Sequence, residues 1–204
     1  MPRDSDITRE KILDAAEELV MDLGFGATSI DKVITKAGIT KGAFFYHFAT
    51  KNDMAFALVS RFADSDVKTT NEMVERAERL ASDPVQRLLV CIGLFEEMFS
   101  HGDAPSHGCL LATFCYESAL IDDRTSIIVS DTLKESRRAL RKMLDAAVAV
   151  RKPRIQVNLD DLADMFTAVL EGAFVLERSF QDKGLIARQL RHYRNYLELI
   201  FAGD

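Results

Sequence analysis

Proline is scarce in this chain, 4 in 204 residues, and glycine numbers only 10. So few breakers exclude a long disordered segment and a turn-rich all-β fold, since both depend on them. Apolar runs are short as well: charge interrupts each one before the ~20 residues that a membrane span requires. Met1 to Glu10 is polar and charged, with no apolar stretch behind a basic leader, so no signal peptide is expected and the cytoplasm is the expected compartment. Cysteine is sparse too. Cys91, Cys109 and Cys115 cannot all pair within one chain, which makes free thiols the expectation. The motifs of catalysis are missing: no Gly-rich phosphate loop follows a strand, no HExxH or GxSxG occurs, and no acid–base constellation stands out. Neither an enzyme, a cofactor nor a metal is expected. His101 and His107 flank a segment containing Asp103, but two imidazoles are a weak signal for a metal.

What the sequence does have is helical periodicity, with 48% hydrophobic residues, ample for a core. Ile12, Leu13, Ala16, Leu19, Val20 and Leu23 mark a first helix from about Thr8, stopped by Gly24 and Gly26. Thr28 and Asp31 read as a capping box for a short second helix through Val33, Ile34 and Ala37, which Gly38 ends in a left-handed conformation. Thr40 caps a third, Lys41 to Phe48. Thr50 and Asp53 cap a long fourth, with the stripe Ala55, Leu58, Val59, Phe62, Thr69, Met73 and Leu80; at 1.5 Å per residue it spans about 43 Å. Asp83-Pro84 opens a fifth helix to Ser100, and His101 to His107 reads as a loop. A sixth helix covers Cys109 to Leu120, a seventh runs from Asp122-Asp123 to about Val150, Asn158 caps an eighth, and the last spans about Leu185 to Phe201. The expected fold is all-α, about nine helices, a small module joined to a larger one.

Leu162, Met165, Phe166, Val169, Leu170, Ala173, Phe174 and Leu176 cover more than one face of the eighth helix, so something packs on both sides. With the stripe Ile186, Leu190, Tyr193, Leu197 and Ile200 of the last helix it predicts a four-helix homodimer interface, for which Leu162, Phe166, Val169, Ala173, Phe174, Leu190, Tyr193 and Leu197 are the candidates. Cys109, Thr113 and Glu117 share a face of the sixth helix, with Tyr116 beside it. Glu117 among apolar neighbours suits a cationic or hydrogen-bonding ligand, and Phe62, Met98, Phe99 and Phe166 suit an apolar pocket wall. Packing alone accounts for these residues more simply. Cys109 and Cys115 raise a redox or electrophile sensor as an alternative, though six residues apart they lie on different faces of a helix. Lys134, Arg137, Arg138, Arg141 and Lys142 read as a solvated face of the seventh helix.

A net charge of −6 argues against a nucleic-acid binder, but its distribution reverses that reading. Between Thr28 and Lys51, Lys32, Lys36, Lys41 and Lys51 face only Asp31. Two short helices around an Ala-Gly-Ile turn there are the layout of a helix-turn-helix, which lets the second helix project into a major groove. Gly42 and Ala43 on its exposed side leave the backbone free to approach base edges. The run from Thr28 through KAGITKGAFFYHFATK resembles, in order and spacing, the N-terminal signature of the tetracycline-repressor (TetR) family, strongly over about the first 60 residues. That resemblance implies a helix-turn-helix DNA-binding domain at residues 1–51 and a ligand-binding and dimerisation domain at 52–204. Position by position, it makes Lys41, Gly42 and Ala43 base-edge contacts, and Thr28, Thr40, Tyr46, His47 and Lys51 phosphate contacts. It makes Phe44 and Phe48 buried anchors. Phe45 stands where the family most often has tyrosine, so stacking on the sugar backbone replaces a hydroxyl contact, and Ile34 stands where a small alanine is common. The function implied is a ligand-responsive bacterial transcriptional regulator, most simply a repressor. It would bind (pseudo)palindromic double-stranded operator DNA as a homodimer and leave it when a small-molecule effector disturbs the 34–36 Å spacing of its two recognition helices. The competing reading is a helical ligand-binding or scaffold protein without DNA binding.

Overall fold

The short helices exist because their ends are capped and their apolar sides are covered. In the computed structural model, which describes residues 4–100 and 108–203, nine α-helices follow one another with no strand among the described residues. They are α1 (Asp4–Leu23), α2 (Ile30–Ala37), α3 (Lys41–His47), α4 (Lys51–Leu80), α5 (Pro84–Ser100), α6 (Leu110–Tyr116), α7 (Asp123–Val150), α8 (Leu159–Phe180) and α9 (Leu185–Ile200), with a 3-10 turn at Ser118–Leu120. The expected His101–His107 loop, with its histidines and Asp103, lies outside the described residues. No described helix is long and apolar enough to cross a membrane.

Caps agree with the sequence reading in three places. Thr40 Oγ1 accepts from Ala43 N at 3.2 Å, Thr50 Oγ1 from Asp53 N at 3.1 Å, and Asn158 Oδ1 from Asp160 N at 2.9 Å. One cap differs. Ser29, not Thr28, caps α2, its Oγ accepting from Lys32 N at 3.2 Å, while Thr28 is fully buried and donates its hydroxyl to Gly24 O at 2.8 Å. Gly38 ends α2 at φ 64°, and Ile39 N donates back to Ile34 O at 3.2 Å, the closing bond of a Schellman turn.

The chain forms two compact units. The first joins the described residues up to Ser65 with Cys109–Thr132, so α6 and the start of α7 belong with α1, α2, α3 and the first half of α4. Its core holds Ile12, Leu13, Val20, Phe25, Val33, Phe44, Leu58 and Phe114. Arg61 of α4 reaches three carboxylates of α1, at 2.9 Å to Glu10, 2.7 Å to Asp14 and 2.7 Å to Glu17. Arg124 of α7 donates to Asp53 at 3.1 Å and lies over the Phe56 ring at 4.9 Å.

The second unit joins the described parts of Asp66–Gly108 and of Leu133–Asp204. Leu88, Ile92, Leu144, Leu162, Tyr193, Leu197 and Phe201 form its core. Tyr193 is buried, its hydroxyl donates to Leu162 O at 2.8 Å, and burial pushes that phenol well above its usual range. Glu96 is buried between Arg191, which donates to it at 2.7 Å, and Arg194, 3.2 Å away. Gly93 makes room for that arginine: a Cβ there would sit 3.1 Å from its guanidinium nitrogen. The basic face of α7 is solvated and paired, Arg137 with Asp164 at 2.5 Å and Arg141 with Asp160 at 2.6 Å.

Of the eight residues expected to meet a partner chain, five are covered by the chain itself. Leu162, Ala173, Leu190, Tyr193 and Leu197 are buried within their own unit, and Phe166, Val169 and Phe174 are half-buried against its core. The side of α8 that faces outward carries Met165, Ala168, Gly172, Val175, Leu176, Ser179 and Phe180. An apolar pattern on several faces of a helix says that two sides are covered; it does not say which side the chain covers itself.

Phe44 is the test of the first unit's packing, since its ring is fully buried and touches that of Phe48, 5.9 Å between centroids. Phe44→Ala is expected to lower unfolding free energy by about 3–5 kcal/mol. A denaturant titration followed by circular dichroism reads this as a fall in midpoint.

Candidate nucleic-acid interface

Seven residues are too few to sustain a helix in water, so α3 depends on what its inner side touches. Phe44 and Phe48 supply that side, 0% and 4% exposed, and the Arg9 guanidinium lies 5.6 Å above the Phe48 ring. Fixing these two rings fixes the rest by helical geometry. Lys41 and Phe45, and beside them Gly42 and Tyr46, form two i, i+4 rows on the outer side. Tyr46 is 78% and Phe45 45% exposed, costly for aromatic rings unless a surface is to be met. Thr40, Lys41 and Gly42 are exposed; Ala43 and His47 are half-buried, His47 set edge-on to Tyr46 at 4.9 Å.

The four lysines of the motif are not equivalent. Lys32 donates to Ala27 O at 2.9 Å, Lys36 pairs with Glu18, and the Lys51 ammonium donates to Phe25 O while lying 4.0 Å above the Phe25 ring. Partial burial lowers the Lys51 pKa, and the Glu117 carboxylate acts in the opposite direction. Lys41 alone of the four has no ion pair or hydrogen bond among the described residues. Two residues expected at phosphates are therefore engaged inside the protein: the hydroxyl of Thr28 and the ammonium of Lys51.

Gly42 has space around it. A Cβ there would meet nothing closer than Thr40 Oγ1 at 3.9 Å, so packing within the chain does not demand glycine.

The residues expected to line a ligand pocket divide between the two units. Phe62, Cys109, Thr113, Tyr116 and Glu117 belong to the first, and Met98, Phe99 and Phe166 to the second. Glu117 does not stand among apolar side chains awaiting a ligand. Its Oε2 accepts from Phe25 N at 2.5 Å and Gly26 N at 3.1 Å. Tyr116 is 85% exposed, and Thr113 turns its hydroxyl back to Cys109 O at 3.3 Å. In the second unit Phe166 meets Phe95 with centroids 5.2 Å apart, Phe99 meets Phe174 at 5.6 Å, and all four are half-buried. Asp66 of α4 escaped the sequence reading because an acid on a long charged helix passes for solvent-facing. Burial raises its carboxyl pKa, against a 3.4 Å contact with the Ser136 hydroxyl. Of the cysteines, Cys91 is buried with its thiol pushed up to about 12, Cys109 is half-buried and Cys115 is exposed.

By class this is a helix-turn-helix protein, with a recognition helix whose outer side is small, polar and aromatic. Residues 12–58 match the family model described as bacterial regulatory proteins, tetR family. The chain is 31% identical over 101 residues to the HTH-type transcriptional activator FasR of Mycolicibacterium smegmatis, a stretch covering 50% of this chain and 43% of that protein. It is 23% identical over 188 residues to the HTH-type transcriptional regulator YxaF of Bacillus subtilis, covering 90% and 93%. A TetR-family regulator from Agrobacterium tumefaciens shares the fold at a TM-score of 0.79 and 22% identity, over 98% of this chain and 100% of that one. Residues 12–58 thus form a TetR-family helix-turn-helix domain, and the chain shares the fold of TetR-family regulators.

An exposed helical glycine costs about 1 kcal/mol against alanine, and position 42 has room for the methyl group. Gly42→Ala is expected to raise unfolding free energy by about 0.5–1 kcal/mol and to weaken DNA binding. Denaturant titration and fluorescence anisotropy on labelled duplex measure the two effects, which move in opposite directions.

Proposed function

We propose that the protein is an effector-released repressor that binds a (pseudo)palindromic operator as a homodimer through α3. The observation that carries this is the outer side of α3: Lys41, Gly42 and Tyr46 exposed above a buried Phe44–Phe48 anchor. Lys41 and Gly42 approach base edges with Ala43, while Thr40, Tyr46 and His47 grip phosphates and Phe45 stacks on the sugar backbone. Residues 1–51 carry out DNA binding; residues 52–204 carry out dimerisation and effector binding. Lys41→Ala combined with Tyr46→Ala is expected to abolish selective binding to a duplex selected from a random pool by the unaltered protein, with oligomeric state and melting temperature unchanged. Survival of selective binding would remove α3 as the reader.

Dimerisation rests on the outward side of α8. Met165, Ala168, Gly172, Val175 and Leu176 make an apolar strip whose smallest members lie at its middle. A Cβ on Gly172 would meet nothing within 4 Å, so its own chain gives no steric reason for glycine there. Close approach of a second α8 gives one. Gly172→Arg is expected to raise the dimer dissociation constant by at least about 100-fold, as two buried charges meet across the two-fold axis. Sedimentation equilibrium reads it directly; an unchanged dimer assigns the interface elsewhere.

The effector reading is supported by the second unit, where Phe95, Phe99, Phe166 and Phe174 leave ring area uncovered and Met98 is half-buried nearby in sequence. Asp66 and Ser136 are the polar groups of the same unit suited to orient a ligand. The effector acts by preferring the arrangement in which the recognition helices do not fit their half-sites.

A further inference from the structure

The helix-turn-helix is held at one point by a residue far outside it. Glu117, which follows the last turn of α6, lies 92 positions beyond Phe25 and yet accepts from both Phe25 N and Gly26 N with a single carboxylate oxygen. The corner between α1 and α2 is built for that approach. Gly24 has φ +85°, and a Cβ on it would sit 2.8 Å from Glu117 Oε1; a Cβ on Gly26 would sit 3.0 Å from a methyl of Leu120. Phe114, one turn before Glu117, packs on Phe25 with centroids 5.1 Å apart. Both ends of the Thr28–Lys51 motif meet this corner: Thr28 at the entry, by its hydroxyl on Gly24 O, and Lys51 at the exit, by its ammonium on Phe25 O and over the Phe25 ring.

We propose that Glu117 is the positioning residue of the DNA-binding head: its carboxylate, borne by α6, holds the Gly24–Gly26 corner in the shape that sets α2 and α3 for duplex DNA. Two backbone amides that no helix satisfies receive one shared side-chain oxygen as acceptor. Without it, Phe25 N and Gly26 N turn to water, Phe25 gains freedom, and both Thr28 and Lys51 lose the fixed partner that anchors the motif's ends. The carboxylate touches no residue of α3's outer side, so it acts on DNA only through the corner. The inference rests on the reading of α3 as the recognition helix, and it extends the DNA-binding apparatus some 60 residues past the stretch that matches the family model.

The test compares Glu117→Ala with Glu117→Gln, which keeps the acceptor oxygen and loses the charge. Three quantities are measured on the full chain: affinity for a duplex selected from a random pool by the unaltered protein, hydrogen exchange at the Phe25 and Gly26 amides, and thermal melting. Glu117→Ala is expected to weaken binding at least about tenfold and to accelerate exchange at both amides. Glu117→Gln should restore affinity to within about threefold and keep both amides protected, with melting unaltered. Unchanged affinity in Glu117→Ala overturns the proposal, as does a loss in Glu117→Gln equal to that in Glu117→Ala, which would make charge rather than hydrogen bonding the cause. Should Glu117→Ala fail to fold, the glutamine variant decides alone: protected amides with retained affinity support the assignment, and exposed amides sink it. If the unaltered protein selects no duplex, the DNA reading falls first, and the exchange data still report whether Glu117 holds the corner.

Discussion

Burial of Phe44 and Phe48 is the constraint from which the head follows. A seven-residue helix forms too few internal hydrogen bonds to offset the ordering of its backbone, so α3 is present only while its two rings are out of water. Phe44 fixes the inner side of the helix, Gly42 and Tyr46 then lie opposite it, and Lys41 and Phe45 flank them, exposed. Of the outer residues, Phe45 also packs edge-on against the Phe44 ring, with centroids 5.4 Å apart. The outer surface of α3 is thus set by residues of its buried side, and it can vary without unfolding the helix.

Charge works by placement in this protein. With a net −6, long-range attraction to a polyanion is unfavourable, and the acids of α1 would add to the repulsion if left open. Arg61 gathers Glu10, Asp14 and Glu17 onto one guanidinium, which ties α1 to α4 and offsets part of that field. The lysines of the motif are used the same way. Lys36 is offset by Glu18 and Lys51 is held half-buried on the Phe25 corner, while Lys32 and Lys41 stay exposed. A count of lysines in the motif overstates the cationic surface by the two that are so engaged.

Features set by neighbours a few residues away were legible in the sequence. Thr40, the Thr50–Asp53 pair, Asn158 and Gly38 end helices as their types require, because a cap is a local contest between a side chain and the first free amides. Thr28 shows where locality stops. Thr28 and Ser29 are both competent caps, and the choice fell to Ser29 because Thr28 is buried and bonded to Gly24 O. Glu117 shows it more strongly: on α6 it reads as a carboxylate among apolar residues, and only the fold reveals two amides 92 and 91 positions away. The two glycines at that corner carried half the signal. In sequence they read as a helix stop, and their second purpose, to admit Glu117 and Leu120, needs the third dimension. On α8 the pattern announces two covered sides, but Leu162 and Ala173, expected against a partner, are buried by the chain itself.

Gly42 and Gly172 make one argument from opposite ends of the chain. Each sits inside a helix, each is exposed, and at neither would a Cβ meet anything closer than 3.9 Å. A helical glycine without a steric reason costs about 1 kcal/mol against alanine, and two of them are a noticeable part of a stability of roughly 5–15 kcal/mol. Turn geometry accounts for neither, since both lie within regular helix. The proposed contacts supply a reason outside the single chain, a DNA groove for α3 and a second α8 for the dimer. An exposed glycine whose substitution would relieve the isolated fold is thus a marker of contact.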